Sequence, residues 1–241
     1  MSKYSSGDVA FFIVDGYDLK GVETEFTFDV EAGFEDTHGL GRDWRDRTPV
    51  AERKADLSQA GFYDDAADSV NAALNELQNT SRVVFFGVAG NAVGRKFTGM
   101  QGAYGGKYTR LMSRGSLHKA NASYQVSGQV DEGLILQELE AKTADWDTTG
   151  ADSVDNGAST SNGAVGYMAV VAMTGFTGFV GKIKHSADDS TYVDLITFSN
   201  VTAAPAAQRG TAAGTVNRHL AFAGDVTGAG SIQVICGCAR N

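Results

Sequence analysis

A chain of 241 residues, 42 % hydrophobic and 20 % charged, has room for one large domain or two small ones and is too apolar for wholesale disorder. Its net charge of −9 argues against a basic nucleic-acid reader, and no apolar run approaches the ~18 residues of a membrane-spanning helix. Thirty glycines against two prolines, Pro49 and Pro205, point to turns made with glycine and to many short strands.

The charge is unevenly spread. Residues 1–80 carry 17 acids against 7 bases, net −10; residues 81–146 carry 5 against 8, net +3; residues 147–241 carry 7 against 5, net −2. The opening "MSKYSSGDVAFF" lacks the apolar h-region of a signal peptide, so synthesis in the cytoplasm is expected. "VAFFIVDG" at 9–16 then reads as an aromatic strand, and "DGYD" at 15–18 as a hairpin turn that falls short of a calcium loop. In "GVETEFTFDV", Phe26, Phe28 and Val30 alternate with Glu23, Glu25, Thr27 and Asp29, the period of a strand with one wet face.

The stretch 33–50, "GFEDTHGLGRDWRDRTPV", is polar, charged and rich in glycine. A loop of this length in a compact domain is commonly functional. Two readings stand side by side for Trp44: an exposed anchor that docks on a partner with Arg42, Arg45 and Arg47 around it, or a ring folded back on its own domain. After "KADLSQAGFYDD" at 54–65, the acids Asp64 and Asp65 precede Val70, Ala73, Leu74 and Leu77, which predicts a strand running into a capped helix.

Much of this order then repeats. "VVFFGVAG" at 83–90 matches 9–16, "KANASYQVSGQVDE" at 119–132 matches the Lys-Ala phrase, and "DEGLILQELEAK" at 131–142 takes the place of the helix. The offsets of 74, 65 and 67 residues predict an internal duplication, with copies at about 8–78 and 82–145 forming a unit over 1–146. Copies of this size fall outside the usual solenoid repeats. The Ser, Thr, Gly, Asn and Asp of 147–164 read as a linker. Short strand-like runs over 165–241 predict a small all-β sandwich, with Cys236 and Cys238 on one face of its last strand.

No catalytic constellation is present. The four histidines, His38, His118, His185 and His219, share no close spacing, and no zincin, Walker or nucleophile-elbow motif occurs. "GVAGNAVG" reads as a glycine-rich turn, and "HSADDS" at 185–190 as polar turn chemistry. The expectation is a non-enzyme with no metal, no cofactor and no catalytic residue.

The opening "SSGDVAFFIVDGYDLKGVETEF", the long loop before "ERKADLSQAGFYDD", the helix after it and the C-terminal "KIKHSADDSTYVDLITF…TVNRHLAF…GSIQVICGCAR" together resemble the major tail tube proteins of long-tailed bacteriophages. The parallels span most of the chain. The resemblance implies a mainly β fold with a flanking helix, and subunits that join into rings which stack into a hollow tube for DNA. Its partners would be further copies of itself, as rings of six or as trimers with pseudo-sixfold symmetry, and other tail proteins. Genomic DNA would pass through without specific binding, and no membrane is implied. The protein would be made in the host cytoplasm and reside in the virion tail. The chain departs from the family pattern in that its copies are short for complete tube domains, so one domain over 1–146 with the C-terminal domain outside it is the first expectation. Glu23, Glu25, Thr27 and Asp29 are the candidate lumen wall, because carboxylates repel phosphate; Arg42, Trp44, Arg45 and Arg47 are the candidate subunit or ring contact. The alternative is a carbohydrate-binding adhesin or decoration protein of the virion, with Tyr192 beside Asp188 and Asp189 as its nearest candidate site.

Overall fold

The computed structural model describes residues 10–20, 23–36, 47–64, 73–74 and 81–241, with backbone alone at 23, 34–36 and 47–53. In chain order the strands are β1 (Phe11–Val14), β2 (Tyr17–Asp18), β3 (Glu23–Asp36), β4 (Arg47–Phe62), β5 (Arg82–Gly87), β6 (Lys96–Leu111), β7 (Lys119–Val126), β8 (Val130–Lys142), β9 (Trp146–Asp147), β10 (Val154–Asp155), β11 (Ala164–Ser186), β12 (Val193–Thr197), β13 (Ala206–Ala212) and β14 (His219–Arg240). The fold is mainly β, and every pairing is antiparallel along the path β12-β11-β14-β8-β6-β5-β1-β2.

The repeated phrases pair with each other. β1 runs antiparallel to β5 with Phe12 opposite Phe86, and β4 runs antiparallel to β7 with Ser58 opposite Ser123. These partners are the equivalent residues of the two matched phrases, so each pairing is centred on its own counterpart. β3 flanks β4 as β6 flanks β7, giving a four-stranded sheet in the order β3-β4-β7-β6. The likeness stops at the helix. Ala73 and Leu74 are helical and buried, while the rest of 65–80 lies outside the described residues. The segment expected to be the second helix is the strand β8. Its "EGLILQELE" offers Leu134, Ile135 and Gln137 to edge pairing with β14, and tertiary pairing overrides the helical propensity of Leu and Glu. The two copies therefore do not superpose as strands followed by a helix.

β1 and β5 are buried on both faces, which explains why they read as unbroken apolar runs. On one face Phe12, Val14, Val84 and Phe86 pack under the four-stranded sheet against Leu57, Tyr124, Phe26 and Phe28. Phe26 meets Phe86 edge-on at 4.6 Å and Phe12 at 5.3 Å, a geometry favoured by the ring quadrupoles. On the other face Phe11, Ile13 and Phe85 pack against Val165, Tyr167, Ala169 and Ile235, so the sheet curls until β1 and β5 face β11. Gly99 leaves room there, since a Cβ on it would lie 2.6 Å from the Tyr167 ring.

The C-terminal hairpin of β11 and β14 is paired from Ala164–Arg240 to Ser186–His219, with register shifts between Val170 and Gly178. At this bend Gly175 and Gly228 take φ of 82° and 100°, values that glycine adopts without a Cβ clash. The hairpin folds back on itself: a Cβ on Gly181 would meet the Met168 sulfur. One half of β11 pairs with β13 and the other with β12, which builds a small sandwich over one core.

The linker expected over 147–164 is instead a paired segment. β9 and β10 hydrogen-bond to β14, and Thr160 bridges to Val216. Trp146 fixes its start by stacking on Phe179 at 5.6 Å with rings 5° apart and by donating from Nε1 to Gln137 Oε1 at 2.7 Å. The polar residues that suggested a solvated linker satisfy the edge of β14: Thr148 Oγ1 accepts from the Phe222 amide at 2.8 Å, and Asn156 donates to the Arg218 carbonyl at 3.1 Å.

Candidate functional site

Polar residues alternate with apolar ones along each strand of the four-stranded sheet, which sets its two faces apart. In β4, Ala55, Leu57 and Gln59 are buried while Lys54 and Ser58 are exposed; in β7, Ala120, Ala122 and Tyr124 are buried while Lys119 and Gln125 are exposed. The outer face is open and shallow, with a concavity of about 350 Å³ lined in part by Glu25, Thr27, Ser58, Asn121, Ser123 and Lys107. Its rows follow from the register. Thr27, Ser58, Ser123 and Lys107 lie side by side, and Glu25, Ala60, Asn121 and Thr109 form the next row.

The sequence-derived lumen candidates fall on this face in part. Glu25, Thr27 and Asp29 are exposed, and Phe26 and Phe28 between them pack inward. Glu23 lies in β3 opposite Gly61, but a bulge between Glu23 and Glu25 breaks the register, so the alternation that groups Glu23 with Glu25 does not cross it. The side chain of Glu23 lies outside the described residues. The face is not uniformly acidic. Glu25, Asp29 and Glu31 lie on β3, Asp56 of β4 pairs with Lys54 beside it at 2.6 Å, and Lys119 of β7 and Lys107 of β6 stand toward the opposite edge, with hydroxyl and amide groups between.

Both edges of this sheet are open among the described residues, where β3 pairs with β4 alone. β6 pairs with β8 and β5 up to Ala103, but from Tyr104 to Leu111 its partner is β7, and among the described residues no strand covers the other side. Rows of unpaired backbone N–H and C=O groups are templates for another strand. The strands alternate in direction across β3-β4-β7-β6, so β6 of one copy laid beside β3 of another continues the antiparallel order.

The long loop expected over 33–50 is shorter than its composition indicates. Phe34, Glu35 and Asp36 pair with Pro49, Thr48 and Arg47, so its ends extend β3 and β4 as a two-stranded ribbon. Pairing of β4 with β7 stops at Ala55–Val126, and among the described residues the ribbon runs on alone from there. Val30, on the core side by alternation, is 54 % exposed because, among the described residues, the layer beneath ends near Phe28. Arg47 is placed opposite Asp36 at the far end of the ribbon. Arg42, Trp44 and Arg45 lie outside the described residues.

The alternative carbohydrate site is occupied by its own turn. Asp188 accepts from the Thr191 and Ser190 amides at 2.9 and 3.1 Å and from Ser186 Oγ at 2.8 Å, which hold its carboxyl well below the usual range. Asp189, at φ 59°, accepts from Tyr192 OH and from Ser153 Oγ. These groups close the loop between β11 and β12 rather than pointing to a ligand. Among the described residues no cluster of His, Cys, Asp or Glu could hold a metal ion. Cys236 and Cys238 are buried and unbridged, and burial pushes the Cys238 thiol up to about 12.

A buried polar triad joins the two halves of the molecule. Tyr167 of β11 donates to Asp131 Oδ2 of β8 at 2.6 Å, and Arg209 of β13 reaches Tyr167 OH at 3.2 Å and Asp131 Oδ2 at 3.3 Å. Burial and the neighbouring carboxylate push the Tyr167 hydroxyl above its ordinary range. The triad supplies partners to groups that would otherwise be buried unpaired, a structural role that fits its position in the seam.

No family model matches the chain, and no curated protein matches it. Among solved structures it is similar to a chain of the virion of a native gene transfer agent particle and to a chain from the tail of an empty gene transfer agent particle with C6 symmetry. Each has 13 % identity and a TM-score of 0.41, over 53 % of this chain and 97 % of that one. It is also similar, at 13 % identity and a TM-score of 0.33, to the SPP1 Dit protein of the hub adsorption apparatus of phages that infect Gram-positive hosts, over 95 % of this chain and 99 % of that one.

Proposed function

We propose that the protein is a non-enzymatic structural component of a phage tail, which assembles as stacked rings into a tube that conducts DNA. The observation that carries this reading is the four-stranded sheet with two open edges of opposite charge and an exposed polar face. Laid edge to edge, β6 of one copy beside β3 of the next, the sheets continue around a ring as head-to-tail contacts that close. Lys107 of one copy then faces the Glu25, Asp29 and Glu31 side of its neighbour. The carboxylates of the face, Glu25, Asp29, Glu31 and Asp56, outnumber Lys54, Lys107 and Lys119, and with Thr27, Ser58, Asn121 and Ser123 they give a wall that offers phosphate little attraction. The ring holds six copies in this reading, with the sandwich of β9 to β14 outside it, and the site of action is the virion.

The ribbon of β3 and β4 supports assembly independently. An isolated two-stranded ribbon is marginal in water, and this one runs beyond its own core. Negative-stain microscopy of the purified full-length chain tests the reading. Rings or tubes with a central channel are expected. A protein that stays monomeric at high concentration, with neither rings nor tubes, overturns it. Lys107→Glu should impair ring closure, and ring yield in wild-type protein should be poorer at low salt than at moderate salt, because like charges repeated around the wall repel over a longer Debye length.

A further inference from the structure

The end of the four-stranded sheet opposite the ribbon carries an apolar tip that the ring contacts above do not use. β6 and β7 meet there through a turn over 112–118, with Gly115 at φ 84°. Met112 and Leu117 are 63 % and 71 % exposed. Leu111 and Phe62 flank them, in the row Leu111, Lys119, Phe62 across the sheet, and both are exposed. Four large apolar side chains gathered at one end of a sheet mark an interaction site rather than scattered surface residues.

The surroundings of the tip select its partner. From Gly105 to Lys119 the chain holds Lys107, Arg110, Arg114 and Lys119 and no acid. Lys107, Arg114 and Lys119 form no ion pair among the described residues. At the other end of the same sheet the ribbon exposes Asp29, Val30 and Glu31, and its β3 strand continues to Glu35 and Asp36. Its second strand adds Arg47 opposite Asp36, Arg53 opposite Ala32 and Lys54 opposite Glu31, against Glu52 and Asp56, whereas β3 carries acids and no base, so the acidic surplus lies on β3. An apolar, basic tip and a ribbon with exposed acids and an exposed valine stand at opposite ends of one set of strands. Copies stacked in the same orientation bring the two together.

We infer that the β6–β7 tip is the ring-to-ring joint, and that its occupant is the β3–β4 ribbon of a second copy of this chain. The inference rests on the tube reading, and the test separates the two. Met112→Asp with Leu117→Asp changes exposed side chains only, so the fold should persist, with an unchanged circular dichroism spectrum and thermal transition. Under the microscope the double variant should give single rings and no tubes where the wild type gives tubes. Tubes from the variant as long as the wild type's overturn the joint and leave the tube reading standing. Loss of rings as well as tubes also overturns it, since the tip would then act within the ring. Wild-type protein without rings or tubes overturns both. The occupant has its own arm: Arg114→Glu with Lys119→Glu should abolish tubes, and adding Glu31→Lys to the same chain should restore them. Tubes unaffected by the first change, or no recovery on the second, overturn the ribbon as partner.

Discussion

The halves of this molecule treat their surfaces in opposite ways. Among the described residues, eight large hydrophobic side chains are exposed, and seven of them (Val30, Phe62, Val88, Tyr104, Leu111, Met112 and Leu117) lie in 1–146, against Val193 alone beyond it. Among the described residues the N-terminal half leaves sheet edges open and sends a ribbon past its own core. The C-terminal half covers the edge of β14 with β9 and β10 and ties its loop carboxylates into ion pairs and turns, as in Asp155 with Arg218 and Lys184 with Asp147. A chain that only had to stay folded and soluble would cover edges throughout. In the proposed tube, the work of association falls to the N-terminal half, with the C-terminal half packed against it through a shared core.

The largest expected effect tests whether the halves form one cooperative unit. Phe85 sits in the seam, 5.7 Å from both Phe11 and Tyr167. Phe85→Ala should cost about 3–5 kcal/mol, read as a shift of a single urea transition followed by fluorescence and circular dichroism. Two transitions with one of them unmoved would show that the seam does not couple the halves.

Next comes the polar lock across that seam. Tyr167→Phe keeps the ring and removes the donor to Asp131, which is 3 % exposed. The loss should be about 1–3 kcal/mol in the same assay. No change would mean that Arg209 satisfies Asp131 without help.

Acid should separate the halves more gently. In the C-terminal half the Arg218 guanidinium holds Asp155 low, backbone amides hold Asp188 low and Tyr192 holds Asp189 low. A carboxylate with a depressed folded pKa contributes stability that is present above its unfolded pKa and is lost as pH falls through the folded value. In the N-terminal half burial raises Asp18. Its ionisation therefore opposes folding, and protonation relieves that cost. Hydrogen exchange recorded from about pH 5 down toward pH 2 should show protection falling in the loops at 147–156 and 186–192 before the β1–β2 hairpin. The reverse order would contradict this assignment of charge.

The smallest effect on folding sharpens the comparison most. Glu25→Gln with Asp29→Asn alters exposed groups on the open face and should move stability by no more than about 0.5 kcal/mol, while changing the salt dependence of ring formation. A stability change well beyond that would mean that the face is part of the fold rather than a surface held for a partner.

Several features of the fold were legible in the sequence because their cause is local. The wet and dry faces of β3 follow from alternation at Glu25, Phe26, Thr27 and Phe28, and the aromatic phrases at 9–16 and 83–90 announce strands buried on both faces. Glycine turns at Gly16, Gly90 and Gly94, all with positive φ, could be placed from composition. The Lys-Ala phrases also carried the period of a wet-faced sheet, which is the signal for Ser58, Asn121 and Ser123 on the open face. What the sequence could not show was who pairs with whom. "LILQELEAK" has helical propensity and becomes β8 because β14 and β6 lie on either side of it. "DWDTTGADSVDNGAS" has the composition of a linker and becomes an edge cover because its hydroxyls and amides meet the free groups of β14. Tyr167, Asp131 and Arg209 are far apart in the chain, and nothing in their spacing reveals the triad. The sequence by itself determined which stretches extend and which of their faces seek water, because side-chain alternation is a property of each strand alone. Only the tertiary structure decided which edges remain open, because an edge is defined by the strand that is not there.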